Sequence, residues 1–294
     1  MRAPRRRGFT IAEVLISLVI AGVIGMAATK LLMSQNRYYD HETNLRTARS
    51  IARSASNVLL ADLRMVQDLG GVDSVASDGK LIRILVPYRV GLVCGTNSNT
   101  TTVSMLPIDS GTIAVSVYRG FAWRDSVSGL YTYVWPSSPT SGDIPVAAAD
   151  PSICTGSGAG QAQIRTVSVN GRAGNILDLK SQAASGAPAG APVFFWQRIS
   201  YSFRTSNAYP NRLGLWRNVE GGLNEEIMAP FDTSARFRFY ASGSDTPTLV
   251  PPPVSDIRGL ELDLAARSPK ATATDSASMS TVVTSVFFKN VRAF

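Results

Sequence analysis

Apolar residues run almost unbroken from Phe9 to Thr29 and resume past Lys30 with Leu31, Leu32 and Met33, with Glu13 as the single acid in the stretch. From Phe9 to Met33, at about 1.5 Å per residue, a helix measures about 37 Å, longer than a hydrocarbon core of about 30 Å. The pattern therefore predicts a membrane-spanning helix over residues 9–33. Beyond Met33 the chain turns polar but keeps a greasy face, with Leu45, Ala48, Ile51, Ala52, Ala55, Val58, Leu59, Leu63, Val66 and Leu69 recurring mostly at three- and four-residue steps. No proline stands between Arg5 and Pro87, and Gly70-Gly71 supplies a stop. One helix over residues 9–69 is expected, its second half (34–69) amphipathic.

From residue 70 the period shortens. Runs rich in β-branched and aromatic residues predict strands at 81–86, 102–106, 112–118, 130–134, 164–169, 193–204, 213–218, 235–241, 257–264 and 281–289. Stretches rich in Ser, Gly, Pro and Ala separate them, notably 136–163, 181–192 and 242–255. Residues 70–294 thus read as a β-rich head. Its long loops are either insertions in one lobe or a boundary between two. The expected fold class is α+β, a long helix packed on a sheet.

Charge changes how the N-terminus is read. Residues 1–8 carry Arg2, Arg5, Arg6 and Arg7 and no acid, which would hold that end in the cytoplasm and deliver the head to the far, periplasmic side of an inner membrane. One reading is a secretory signal peptide cut after small residues near Gly25-Met26-Ala27, releasing a β-rich adhesin or binding protein. Glu13 speaks against it. A carboxylate near the membrane interior costs about 2.5 kcal/mol or more and persists where it finds a partner.

The residues Gly8-Phe9-Thr10-Ile11-Ala12-Glu13, with arginines before and an apolar helix after, resemble the class III signal of type IV prepilins and pseudopilins. The resemblance implies that a membrane peptidase cuts after Gly8, methylates Phe9 and leaves the apolar helix on the mature protein. Glu13 would then be the fifth mature residue. Pairing of its carboxylate with the free amine of Phe9 on a neighbouring subunit would reward the correct axial stagger. A second resemblance, to PilW-type minor pilins and J-type pseudopilins, rests on the segment 199–204, on Leu213-Gly214-Leu215-Trp216-Arg217, on 227–231, on Phe237-Arg238-Phe239-Tyr240 and on Ile257-Arg258-Gly259-Leu260-Glu261-Leu262. Trp216 stands where tyrosine is commoner in that group, and Glu13 is unlike the K-type capping pseudopilin. The implied partners are prepilin peptidase, other minor pilins or pseudopilins, the inner-membrane assembly platform and membrane lipid. Pilus and secretion machines are left unseparated.

Composition supports a subunit without chemistry of its own. The net charge of +8 falls to +4 once four leader arginines are removed, so the basic balance gives no argument for nucleic acid. With one histidine and two cysteines, nitrogen and sulfur ligands are too few for a zinc site. His41 lies on the helix just outside the predicted span, where a solvated side chain is the plainer reading than a catalytic triad. Gly156-Ser157-Gly158-Ala159-Gly160 lacks the spacing and the lysine of a phosphate loop. Cys94 and Cys154 fall in the translocated head, where an oxidising compartment favours a disulfide. Closing about 60 residues is worth about 4 kcal/mol in the chain-entropy view. Loop oxygens leave a calcium ion open, without EF-hand spacing. Phe194, Phe195, Trp196, Tyr201, Phe203, Trp216, Phe237, Phe239 and Tyr240 alternate as sheet-core residues do, which is a plainer account of them than a ligand surface. No enzyme activity and no cofactor are expected.

Overall fold

Helix α1 (Ile11–Leu63) is continuous over 53 residues. In the computed structural model the described residues are 10–67, 71–96, 100–105, 120–125, 129, 131–134, 146–148, 168–169, 172–173, 176–180, 187–220, 222–270 and 278–288. The helix ends earlier than its periodicity predicts. Met65 N–H bonds to the Asp62 carbonyl at 3.0 Å and Val66 N–H to the Leu63 carbonyl at 3.2 Å. These three-residue bonds tighten the last turn and swing the chain toward the sheet.

Two halves of α1 live in different surroundings. Every residue from Thr10 to His41 is exposed, among them Leu15, Leu18, Val19, Val23, Ile24, Leu31 and Leu32, each at least 60% open. From Asn44 onward one stripe is buried: Ala48, Ile51, Ala52, Ala55, Leu59 and Leu63. Of the predicted greasy face, Leu45 is half-buried and Val58 exposed, and Leu69 lies outside the described residues. Asn44 and Ser56 join the buried stripe although they are polar. The apolar first half is long enough to cross a membrane, and none of it is covered by the described residues of the head.

The head is built on two long antiparallel strands. In chain order the strands are β1 (Val72–Val75), β2 (Leu81–Thr96), β3 (Thr100–Met105), β4 (Gly120–Arg124), β5 (Tyr131–Val134), β6 (Val146–Ala148), β7 (Ser168–Val169), β8 (Arg172–Ala173), β9 (Ile176–Lys180), β10 (Pro192–Thr205), β11 (Leu213–Val219), β12 (Asn224–Phe231), β13 (Arg236–Ala241), β14 (Ile257–Arg267) and β15 (Met279–Phe287). β2 and β10 pair from Leu81↔Ser202 to Leu92↔Pro192. The free edge of β10 then takes β4 beside its first half and β11 beside its second. β2 likewise takes β1 near its start and β3 near its end. The ribbon therefore carries two groups of strands end to end within one sheet.

A bulge makes this possible. Phe195 pairs with Arg89 and Trp196 with Pro87, so Tyr88 is the extra residue. Because side chains alternate, the insertion moves the inward set of β2 from Ile82, Ile84 and Val86 to Gly91 and Val93 while β10 keeps one parity throughout. Val193, Phe195, Ile199, Tyr201 and Phe203 consequently share a face. Ile199, Tyr201 and Phe203 join the core under α1, with Ile82, Ile84, Phe231, Phe237, Phe239, Leu260 and Leu262. Val193 and Phe195 join a separate core with Val93, Val103, Met105, Phe121 and Trp123. On the opposite face Trp196 packs with Leu85 and Ala122. A Cβ on Gly120 would come within 1.9 Å of the Trp196 ring, so that position takes only glycine.

The predicted strands are largely present with altered ends. β2 runs ten residues past its predicted end at 86, because the bulge absorbs Pro87. β1, β4, β6, β8, β9 and β12 were not among the predicted strands. Residues 112–118 lie outside the described residues, as does 164–169 apart from β7. The segment 242–255 holds a bridge from Thr248 to Phe239 and enters a short 3₁₀ turn, Val254–Asp256. The fold is α+β, a long helix followed by a sheet-dominated head.

Leu59 is fully buried between α1 and the sheet. Leu59→Ala should therefore lower unfolding stability by about 2–5 kcal/mol, whereas Val58→Ala, one residue away and exposed, should cost well under that. Denaturant titration of the detergent-solubilised chain, followed by tryptophan fluorescence, measures both.

Candidate functional site

The start of α1 is closed by its own side chains. Glu13 N–H donates to Thr10 Oγ1 at 3.3 Å, and the Glu13 carboxylate accepts from Thr10 N–H at 2.9 Å and from the Thr10 hydroxyl at 3.1 Å. This is a capping box, in which two otherwise orphaned N–H groups are satisfied reciprocally. Ser17 Oγ donates to the Glu13 carbonyl one turn on. Gly8 and Phe9 lie outside the described residues. Sequence reading singled out Glu13 for pairing between subunits and missed Thr10, although Thr-x-x-Glu before an apolar run is the signature of such a box.

Two sets of polar contacts fix the head to the helix. Far from the apolar half, Tyr201 OH donates to Asp62 Oδ2 at 2.7 Å. Arg217 reaches the same pair, Nε to Tyr201 OH at 3.2 Å and Nη2 to Asp62 Oδ2 at 3.4 Å. Tyr201 is fully buried. Burial, and then its hydrogen bond to Asp62, push the phenol above its usual range, so it stays a neutral donor. Nearer the apolar half, Ser268 Oγ donates to Asn44 Oδ1 at 2.8 Å, and His41 Nδ1 lies 3.3 Å from Ser278 Oγ. Arg212 donates to the Ser268 carbonyl. One end of the β14–β15 hairpin, with Ser268 after β14 and Ser278 before β15, thus meets α1 where its exposed half begins.

Asp232 ties down the same rim. It accepts from Ser234 N–H at 3.0 Å and Ser234 Oγ at 2.8 Å, and pairs with Arg267 at the end of β14. Burial works to raise its carboxyl, and these hydrogen bonds and the guanidinium charge outweigh it, leaving the group below its ordinary value of 3.8.

The remaining candidates fall into place by burial. Phe195, Trp196, Tyr201, Phe203, Trp216, Phe237, Phe239 and Tyr240 are buried, and Phe194 is half-buried. They are core, not a ligand platform. Cys94 is fully buried near the end of β2, whereas Cys154 and the segment 156–160 lie outside the described residues. Among the described residues no three His, Cys, Asp or Glu side chains gather as metal ligands would. A shallow aromatic cleft with room for little more than a water molecule lies between Leu85, Pro87, Tyr131, Tyr133, Phe194 and Trp196. Its lining offers no carboxylate, imidazole or amine to move a proton.

Residues 3–29 match the family model of the prokaryotic N-terminal methylation motif. No curated protein and no solved structure matches the chain. The motif supports a type IV pilin-like family and indicates a pilin- or pseudopilin-like precursor. It implies processing by prepilin peptidase and assembly with other pilins. Together with the exposed apolar helix it is consistent with membrane anchoring. The motif suggests a structural subunit rather than an enzyme.

Two outcomes test the helix–head lock. Asp62→Ala leaves the buried Tyr201 hydroxyl and the Arg217 guanidinium without their acceptor, and should cost about 1–3 kcal/mol in denaturant titration. Tyr201→Phe should cost about 1 kcal/mol, and the double variant should cost less than the sum. For Asp232, a depressed carboxyl contributes stability that is complete above its unfolded value and is lost as pH falls through the folded one. An acid titration of stability should therefore be shallower in Asp232→Asn than in the parent chain, with the two curves converging at the acid end.

Proposed function

We propose that this chain is a minor pilin or pseudopilin, cleaved after Gly8 and N-methylated at Phe9 by prepilin peptidase, which primes or caps a type IV pilus or a type II secretion pseudopilus. The observation that carries the reading is the conjunction of the methylation motif over residues 3–29 with an apolar helical half that no described residue of the head covers. An apolar surface of that length needs lipid before assembly and neighbouring helices after it. The division proposed is a leader over 1–8, a membrane and filament-core helix over 9–33, its amphipathic continuation over 34–69 and a head over 70–294. With four arginines and no acid packed into the eight residues before the span, the N-terminus is cytoplasmic and the head periplasmic.

Glu13 is the assembly residue on this reading. Its carboxylate is held by Thr10 in the single chain and exchanges that partner for the methylated amine of a neighbour when subunits stack. Cys94 and Cys154 form the disulfide that staples the lobe around β2 and β3. Support for a low-copy tip subunit comes from the size of the head, since a ribbon carrying two groups of strands end to end is poorly suited to tiling a filament wall.

Mass spectrometry of the mature chain from native membranes tests the processing. The expected terminus is N-methylated Phe9, and a terminus near Ala28 would sink the proposal, because the helix and Glu13 would both be discarded. Glu13→Ala should insert in the membrane like the parent chain and yet be incorporated poorly into filaments. Equal incorporation would remove the role given to Glu13.

A further inference from the structure

Strand β15 closes one end of the sheet. It pairs with β14 without a register shift from Gly259↔Phe287 to Arg267↔Met279, and no strand among the described residues lies along its other edge. Its sequence, Met279-Ser280-Thr281-Val282-Val283-Thr284-Ser285-Val286-Phe287, contains no charge and no proline. The even positions face inward, and Val286 is buried. Met279, Val283 and Phe287 project outward at 49%, 57% and 57% exposure, in line with the exposed Thr281 and Ser285.

Proteins ordinarily protect such an edge with charges, proline, a bulge or a covering segment. β13, at the far side of the same group of strands, has that protection: Thr248 bridges to Phe239, and Arg236 and Arg238 alternate along the strand. The charges next to β15 stand one strand further in, where Arg238 meets Glu261 at 3.5 Å and Asp263 at 3.8 Å. Among the described residues nothing pairs with the edge itself.

Orientation decides what can cover it. β15 begins beside His41, and β14 ends beside Asn44. β15 therefore leaves the membrane side of the head in the same sense as α1. A second copy pairing antiparallel through the same strand would point its own apolar helix away from the membrane, which two chains anchored in one bilayer cannot do. This edge, unpaired among the described residues, also starts where the exposed half of α1 reaches the head, so it continues the surface through which neighbouring helices would pack.

We infer that β15 receives a strand from a different subunit of the same assembly: an extended, uncharged, apolar-alternating segment that runs toward the membrane, antiparallel to β15. Backbone hydrogen bonds supply the affinity, and side chains that fit between Met279, Val283 and Phe287 supply the selectivity. This rests on the pilin-like reading above.

The test is hydrogen exchange over residues 279–287 in the full chain, once within assemblies isolated from native membranes and once detergent-solubilised alone. Assembly should slow alternate β15 amides roughly tenfold or more. Val283→Lys should abolish that slowing and lower incorporation, with exchange in β2 and β10 unchanged to show an intact head. Leu249→Lys, which adds the same charge in the 242–255 segment, should incorporate normally. Equal β15 exchange in both states would overturn the inference and leave the pilin-like reading standing, provided the parent chain is incorporated. Protection already complete in the solubilised chain would also overturn it, by showing that the chain covers its own edge. A chain that never incorporates removes both.

Discussion

The burial of one stripe of α1 against the sheet is the interaction on which the rest of the structure depends. Among the described residues, a helix of 53 residues whose apolar half is uncovered by the head is held by its other half. Ala48, Ala52 and Ala55 carry almost no side chain, so the helix comes close to the strands, and Ile51, Leu59 and Leu63 fill the grooves that remain. Most helical stability in proteins comes from such packing and not from intrinsic propensity. The Asp62–Tyr201–Arg217 cluster adds direction to this grip. Apolar contacts tolerate sliding along the helix axis, whereas a buried phenol with one acceptor does not.

The ribbon of β2 and β10 extends that constraint into the head. Its second half is clamped under α1, and its first half continues past the bulge at Tyr88 into a core of its own. Arg198 sits at the divide, paired with Glu220 at 2.8 Å and with Asp73 at 3.1 Å. The Glu220 N–H bonds to the Arg198 carbonyl just where β11 gives way to β4 along the edge of β10. The described part of the 181–192 stretch joins the far core through Ala187 and Ala191, whereas the 242–255 stretch bridges to β13 in the group of strands under α1.

Much of this was legible in the sequence, and the parts that were not share a cause. The apolar run and the three-to-four-residue steps give α1 because helical periodicity is local. Alternation gives β10, β13, β14 and β15 for the same reason. β2 reads short because Pro87 lacks an N–H, and only the pairing with β10 shows a bulge that accommodates it. β12 was missed as a strand because it opens with Asn224-Glu225-Glu226, polar residues that a strand with half-exposed positions tolerates. At the site, the motif around Glu13 is contiguous and therefore visible. Asp62 and Tyr201 stand 139 residues apart, and Asp62 and Arg217 155, so no spacing rule connects them. The only local signal was an acid set between Leu59 and Leu63 on a greasy face.

The capping box bears on how a charged residue can be carried into lipid at all. A carboxylate alone in the hydrocarbon region costs several times what two hydrogen bonds return in water, yet the same two bonds are worth more where no water competes. Thr10 supplies both from within one turn, its N–H and its hydroxyl on one Glu13 oxygen. On the proposed reading, the single subunit in the membrane is thereby spared a bare charge. An incoming amine then has only to outdo a neutral local partner, which a charge-assisted hydrogen bond does by roughly twofold. The preference for a neighbour therefore does not require the isolated helix to be unstable. It requires only that the better partner arrive at the right height.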